Sequence, residues 1–299
     1  MLTADLTVSK DHMVDDFSRD NPAVVTVRNG GPAVIRIESN DTAYRRLLAG
    51  ESLDSISLEG FNPVSGPIAV EGAEPGDAIC VRVLEIEIRR VWSIWIPCFG
   101  ALGARTKRIR IKEVPVRDNC AKISESIVVP LQPMISYIGF APSKGRSSTV
   151  APVFPWGGNM DLRQAEPGAI VYLPVQVPQG LPSLGDLHAC MGGGAPLSIA
   201  LEASGSATIR VSVAKEMQLR RPLLRHEGRI LFVGLGPTLE LAQKDAVGEA
   251  WRWLTKVRRL GEFEAYTFCS AALETTFGGP ASPVAVASLP DLASEIVIG

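Results

Sequence analysis

The chain has no pairing pattern among its cysteines. Cys80, Cys98, Cys120, Cys190 and Cys269 are odd in number, widely scattered and never arranged as CxxC. That argues against a disulfide framework or a zinc knuckle and points to free thiols in a reducing compartment. An excess of one charge is also absent. The 30 Lys and Arg residues against 32 Asp and Glu leave a net charge of -2, which provides no general field for nucleic acid. Basic runs at 105–110 and 252–259 read as solvated faces. No uninterrupted apolar stretch approaches the roughly 20 residues that span a bilayer. The polar, acidic N-terminus lacks the layout of a signal peptide. The expectation is a soluble, cytoplasmic protein with neither nucleic acid nor membrane as a partner.

Material for a core is plentiful. The 299 residues are 46% hydrophobic and 21% charged, the balance of a folded protein with one large domain or two modest ones. Short β-branched runs at 23–27 and 33–37 are separated by the turn signal Asn29-Gly30-Gly31-Pro32. Residues 78–88 alternate in part, with Arg82 between Val81 and Val83, as a half-buried strand does. More strands are expected at 170–177, 207–213 and 229–233. Ala73-Glu74-Pro75-Gly76 recurs as Ala165-Glu166-Pro167-Gly168, each copy preceding a strand. Proline followed by glycine suits a type II turn; chance recurrence explains the repeat as well as a duplicated β unit does.

After residue 238 the period changes to helical. Residues 239–259 follow Thr238 as N-cap, and 263–273 form a shorter helix candidate. Trp251 and Trp253 are expected in the packing of the first helix rather than as a ligand platform. The fold class expected is α+β, mostly β. It would have a sandwich- or barrel-like N-terminal part over 1–150 and a smaller α/β part over 151–299 that carries the site. The boundary is approximate, and a single compact unit is also open. Residues 141–156 and 178–186 are the loop candidates.

Histidine is scarce, with three in the chain, and one lies in the densest cluster of catalytic residue types. Asp186-Leu187-His188 places an acid and an imidazole two positions apart, on one face of an extended strand, where both could reach one metal ion. Alone, such a pair is more often a histidine satisfied by a carboxylate. Asn159-Met160-Asp161 repeats the spacing after Gly157-Gly158, which let backbone approach a ligand closely. Cys190 is a nucleophile candidate, although a buried inert thiol is commoner. Gly192-Gly193-Gly194 reads as an oxyanion hole or a flexible turn, and Gly234-Leu235-Gly236 is too short for a dinucleotide motif.

Read together, these segments resemble the acetamidase/formamidase family. The likeness rests on the run 157–161, on Gly168 and the strand Tyr172-Leu173-Pro174-Val175, and on 185–189 and 200–202. Earlier matches are 62–68, 70–77, Pro97-Phe99-Gly100 and 138–142. The resemblance implies a mostly β, α+β fold, a homo-oligomer, and hydrolysis of small linear amides to a carboxylic acid and ammonia. It also implies a divalent metal, Zn or Ca, near 157–161 and 185–188, where Asn159, Asp161, Asp186 and His188 are intact. The chain departs from the family pattern at Gly193 and Ala195, where acidic residues are expected, and at Trp156, where a histidine is common.

Asp161, Asp186 and His188 are therefore the expected metal ligands. Asp161, His188 and Glu202 are the catalytic candidates, with Glu202 replacing the acid absent at 195. Trp156, Asn159 and Gly193 are the substrate-binding candidates. Trp156 and Met191 suggest a substrate less polar than formamide. Two alternatives stay open: a relative that binds a small molecule or partner without turnover, and a thiol amidase using Cys190.

Overall fold

The structure is a computed structural model that describes residues 2–56, 61–150, 153–279 and 283–292. Positions 151 and 152 of the expected loop 141–156 lie outside the described residues. The strands that build and support the site are β1 (Ala33–Glu38), β2 (Ala78–Trp95), β3 (Met134–Gly139), β4 (Gly157–Asn159), β5 (Ile170–Pro174), β6 (Ser183–Cys190) and β7 (Leu201–Ala214). They continue into β8 (Leu223–His226), β9 (Arg229–Leu235), β10 (Glu274–Gly278) and β11 (Val284–Pro290). The helices are α1 (Thr42–Leu48), α2 (Leu239–Arg252) and α3 (Glu262–Ala272).

All these strands share one 15-stranded sheet, whose path runs β4-β3-β6-β7-β2-β5-β8-β9-β11-β10, with β1 on the free stretch of β7. The fold is mostly β, as expected, but no closed barrel forms. The path ends on two short strands, β4 and β10, that are not bonded to each other. The boundary expected near residue 150 falls inside this sheet, because β3 lies between β4 and β6, and β2 between β7 and β5.

Strand β2 shows why local pattern and final structure differ in length. Ile79, Val81 and Val83 are fully buried while Arg82 faces solvent. The apolar alternation fails at Arg89-Arg90, yet the strand continues to Trp95. Arg90 is ion-paired to Glu113 at 2.7 Å and stacks 5.1 Å over the Trp92 ring, so its charge stays solvated while Val91 and Trp92 return to the core. The loop expected over 178–186 likewise ends at Pro182. Ser183 and Leu184 pair with Gly139 and Ile138 of β3, and Leu184 also with Ser65. Long-range pairing overrides the local proline and glycine content here.

The two Glu-Pro-Gly turns are built alike. Asp77 N–H donates to Glu74 O at 2.9 Å and Ala169 N–H to Glu166 O at 3.0 Å, with φ of +102° at Gly76 and +99° at Gly168. That is the left-handed third position of a type II turn. Helix α2 starts where the capping signal put it, with Leu241 N–H donating to Thr238 Oγ1 at 3.2 Å, and it continues through a wider turn over Trp253–Val257. Its Ala242, Ala246 and Ala250 are fully buried against Phe232, Ala285 and Ala287 of the sheet, and Trp253 lies 5.8 Å from Phe232. Helix and sheet approach so closely that a Cβ on Gly234 would lie 2.1 Å from Ala242 O and 2.2 Å from Ala246 N. The Gly-Leu-Gly segment thus serves helix packing.

Gly234→Val should destabilise the protein by about 3 kcal/mol or more, because backbone must move to admit the side chain; equal denaturation midpoints for both proteins would contradict the packing role. Buried Asp77 accepts hydrogen bonds from Glu74 N, Glu216 N and Lys215 Nζ. Burial alone would raise its pKa, but Lys215 and the two backbone donors outweigh it and hold the carboxyl below its ordinary value. Its folded pKa being the lower one, its contribution is full above the unfolded value of about 4 and vanishes as pH falls through the folded value. Melting curves of wild type and Asp77→Asn should therefore differ near neutrality and converge in acid.

Candidate active site

Four segments meet where β3, β4, β6 and β7 lie side by side. His188 on β6 stands directly opposite Glu202 on β7. Asp161 follows β4, and Ser136 on the neighbouring β3 donates to its carboxylate. Both aspartates adopt left-handed backbone, with φ of +44° at Asp161 and +56° at Asp186. This conformation is uncommon outside glycine, is tolerated best by Asn and Asp, and concentrates at functional sites. The same-face argument for Asp186 and His188 assumes an extended strand, but β6 is kinked at Asp186. The pair converges nevertheless: His188 Nε2 is 3.1 Å from Asp186 Oδ2 and 3.5 Å from Glu202 Oε2.

These side chains line a cavity of about 480 Å³, together with the polar residues Asp54, Asn62, Tyr137, Asn159 and Ser198. Leu53, Ile56, Phe61, Ile94, Ile96 and Phe99 supply apolar wall, and no lysine or arginine is among the described lining residues. Three carboxylates, with side chains 7% exposed or less for Asp186 and Glu202 and Asp161 equally buried, surround one imidazole. Burial alone would discharge the His188 ring, but Glu202, Asp186 and Asp161 outweigh it and hold the pKa up to about 10. Burial pushes the Glu202 carboxyl up to about 7 against the pull of His188. Burial also raises Asp161, with Asp186 adding and His188 and Ser136 opposing.

Tyr44 of α1 ties the acids to a second layer. Its hydroxyl lies 2.9 Å from Glu202 Oε2, 3.1 Å from Asn62 Oδ1 and 3.4 Å from Asp186 Oδ1. With a single proton to give, it donates to the nearest acceptor, Glu202. The other oxygen of Glu202 accepts from Ala200 N at 3.0 Å, and Asn62 Nδ2 donates to the Tyr137 hydroxyl at 3.3 Å. Burial, then the neighbouring acids, keep the Tyr44 phenol well above its ordinary range, so it stays a donor.

Asp161, Asp186 and His188 form a candidate metal site, each offering an atom within 4.8 Å of the others. The residues suit a divalent cation. The cluster carries more buried negative charge than one imidazolium offsets, and His188 Nδ1 is buried with no hydrogen-bond partner among the described residues. Asn159 and Glu202 line the same cavity as this set. Trp156 and Gly193 line none of the described cavities. Trp156 stacks on Phe154 at 5.0 Å and packs on the main core, and Gly193 is exposed. Ala195 is buried with Met134 and Met191. Cys190 faces a second cavity, and burial raises its thiol pKa, the opposite of what an activated nucleophile needs. Tyr44, Ser136 and Tyr137 escape sequence reasoning altogether. Asn62 carried one signal, its place in the 62–68 match.

The structure thus defines a buried carboxylate–imidazole site in an open, mostly β fold. A model of the acetamidase/formamidase family matches residues 2–145 and 141–272, and the chain belongs to that family. It is similar to the acetamidase of Bacillus halodurans, with 29% identity, a TM-score of 0.89 and coverage of 98% of this chain and 100% of that one. A predicted acetamidase/formamidase of Thermoanaerobacter tengcongensis gives 29% identity, a TM-score of 0.89 and 97% coverage of both chains. A protein of Schizosaccharomyces pombe named "putative formamidase" is 25% identical over 240 residues, 60% of this chain. The match spans 57% of that relative's length.

Removing the Tyr44 hydroxyl should leave the buried Glu202 carboxylate one donor short. Tyr44→Phe is expected to lower unfolding free energy by about 1–3 kcal/mol. An unchanged denaturation midpoint would place that hydroxyl outside the cluster's support.

Proposed function

We propose that the chain is a metal-dependent amidohydrolase that cleaves the C–N bond of small linear amides to a carboxylic acid and ammonia. The observation that carries this is the convergence of Asp161, Asp186 and His188, with a further acid, Glu202, opposite His188 and lining the same cavity. Family membership supplies the reaction class. Asp161, Asp186 and His188 would hold the cation. The imidazole nitrogen favours zinc over calcium, which takes oxygen ligands. When bound, such an ion polarises a carbonyl and acidifies water.

The remaining work falls to side chains of the chain itself. Glu202, with a pKa of about 7, takes a proton from the attacking water and returns it to the departing nitrogen, as a general base and then acid. One C–O bond forms, the C–N bond breaks, and ammonia leaves. Tyr44 and Ala200 N–H hold the two oxygens of Glu202 in place. Asn159 and Tyr137 are the polar groups positioned to orient the amide, and the apolar walls exclude bulk water. Glycines 192–194 do not line this cavity.

The competing reading, a binding protein without turnover, rests on the missing acids at Gly193 and Ala195. Glu202 answers it by placing a carboxyl beside His188. The proposal also carries a cytoplasmic homo-oligomer, supported by the free thiols and the family, and native mass spectrometry checks the assembly.

The test is ammonia release from formamide, acetamide and larger linear amides with added Zn²⁺, Mn²⁺ or Ca²⁺. Dipicolinate treatment should abolish turnover and zinc should restore it. Asp161→Asn and His188→Ala should lose both metal and activity. Glu202→Gln should keep the metal while rate falls about 10²–10⁴-fold. Turnover that survives complete metal removal would overturn the reading, as would no turnover with any metal.

A further inference from the structure

A second cavity of about 460 Å³ adjoins the one that holds the acidic cluster. Ile94, Ile96, Phe99 and Ile199 line both, so the two spaces share a wall. Beyond that wall the second cavity is lined by Trp95, Ile123, Met191 and Leu201, with Ser93 and Cys190 as its polar members and no charged side chain. Phe99, Leu102 and Leu197 are between 42% and 46% exposed, which places its mouth at the surface.

A one- or two-carbon amide fits beside His188 and leaves nearly all this apolar lining unused. Cavities of roughly 300–1,000 Å³ enclose drug-sized ligands, and the first cavity alone falls in that range. Apolar lining contributes to binding only in proportion to the apolar area it covers. A ligand held by its amide beside His188 reaches the second cavity by running its other end along the shared residues Ile94, Ile96 and Ile199 towards Met191. Resting on the amidohydrolase reading above, we propose that the two cavities are acyl-binding lobes of one substrate site. The substrate class is then primary amides that carry an extended apolar acyl chain. Water adds to the carbonyl carbon, the C–N bond breaks, and a fatty carboxylic acid and ammonia are released. Met191, expected near the site from its sequence position, acts in this arrangement on the far end of the acyl chain.

The experiment has two arms. The first measures kcat/KM across formamide, acetamide, butanamide, hexanamide and octanamide. Values should rise about fourfold per buried methylene until the lobes are full. Gly192 lines the second cavity, and a Cβ there meets nothing within 4 Å. Gly192→Phe should fill that lobe and cut the octanamide-to-acetamide ratio of kcat/KM by about tenfold or more. The second arm needs neither variant nor turnover. Octanamide should slow alkylation of Cys190 by N-ethylmaleimide, resolved by peptide mass spectrometry, and leave Cys269 on α3, which lines neither cavity, unaffected.

Highest kcat/KM with formamide or acetamide, together with unprotected Cys190, overturns the proposal and leaves the hydrolase reading intact. Protection of Cys190 by octanamide without hydrolysis of any amide supports the lobe assignment and defeats the hydrolase reading. A Gly192→Phe protein that fails to fold leaves the wild-type Cys190 protection to decide.

Discussion

The arrangement turns on one electrostatic constraint: three buried carboxylates stand around a single imidazole, with no cationic side chain among the described residues of their cavity. Buried like charges repel strongly when little solvent screens them. Without a further cation, the ring of His188 must hold its proton and Glu202 must share in holding another. A divalent ion at the point where Asp161, Asp186 and His188 converge would offset the same charge more completely, putting two charges in place of protons. Ser136 on Asp161 and Tyr44 on Glu202 fix the two outer carboxylates by neutral donors, which orients them without cancelling their charge.

The sheet makes this cluster possible by interrupting its own regularity. A strand that alternated strictly would send every second side chain to one face. The left-handed residues Asp161 and Asp186 break that alternation at two neighbouring points. Cross-strand pairing resumes on either side of the second break, with Gly185 opposite Tyr137 and Leu187 opposite Ile135. The rigid neighbours thereby hold two strained residues in place. The 14 residues of β7 extend from the site into the centre of the sheet and pair with β2 from Leu201 to Ala214, so Glu202 is anchored by a long paired strand rather than by a loop.

Much of this was legible because it is local. Asp186 and His188 are two positions apart, as are Asn159 and Asp161, and their spacing alone raised a shared site. The Thr238 cap, the Glu-Pro-Gly turns and the burial of Trp253 are decided within a few residues of each, and the structure agrees with them. What escaped depends on distant partners. Tyr44 reaches Glu202 across 158 positions and Asp186 across 142, and no pattern around Tyr44 announces either contact. The extension of β2 beyond residue 88 depends on Glu113 from another strand. Trp156 shows how little adjacency in sequence says about surroundings. It adjoins the Gly-Gly-Asn-Met-Asp run in sequence, and its ring stacks on Phe154 and packs on the main core, because neighbouring residues of an irregular segment need not face the same space.

A cation held by both aspartates and the imidazole, as proposed, would balance the buried acids. Anomalous diffraction from a crystal grown with zinc, recorded on both sides of the zinc absorption edge, tests it most directly. The account predicts a single strong peak within roughly 2.0–2.2 Å of a carboxylate oxygen from each of Asp161 and Asp186 and of a ring nitrogen of His188. A crystal with zinc bound elsewhere or nowhere, and His188 still closed onto Asp186 by a hydrogen bond, would contradict it.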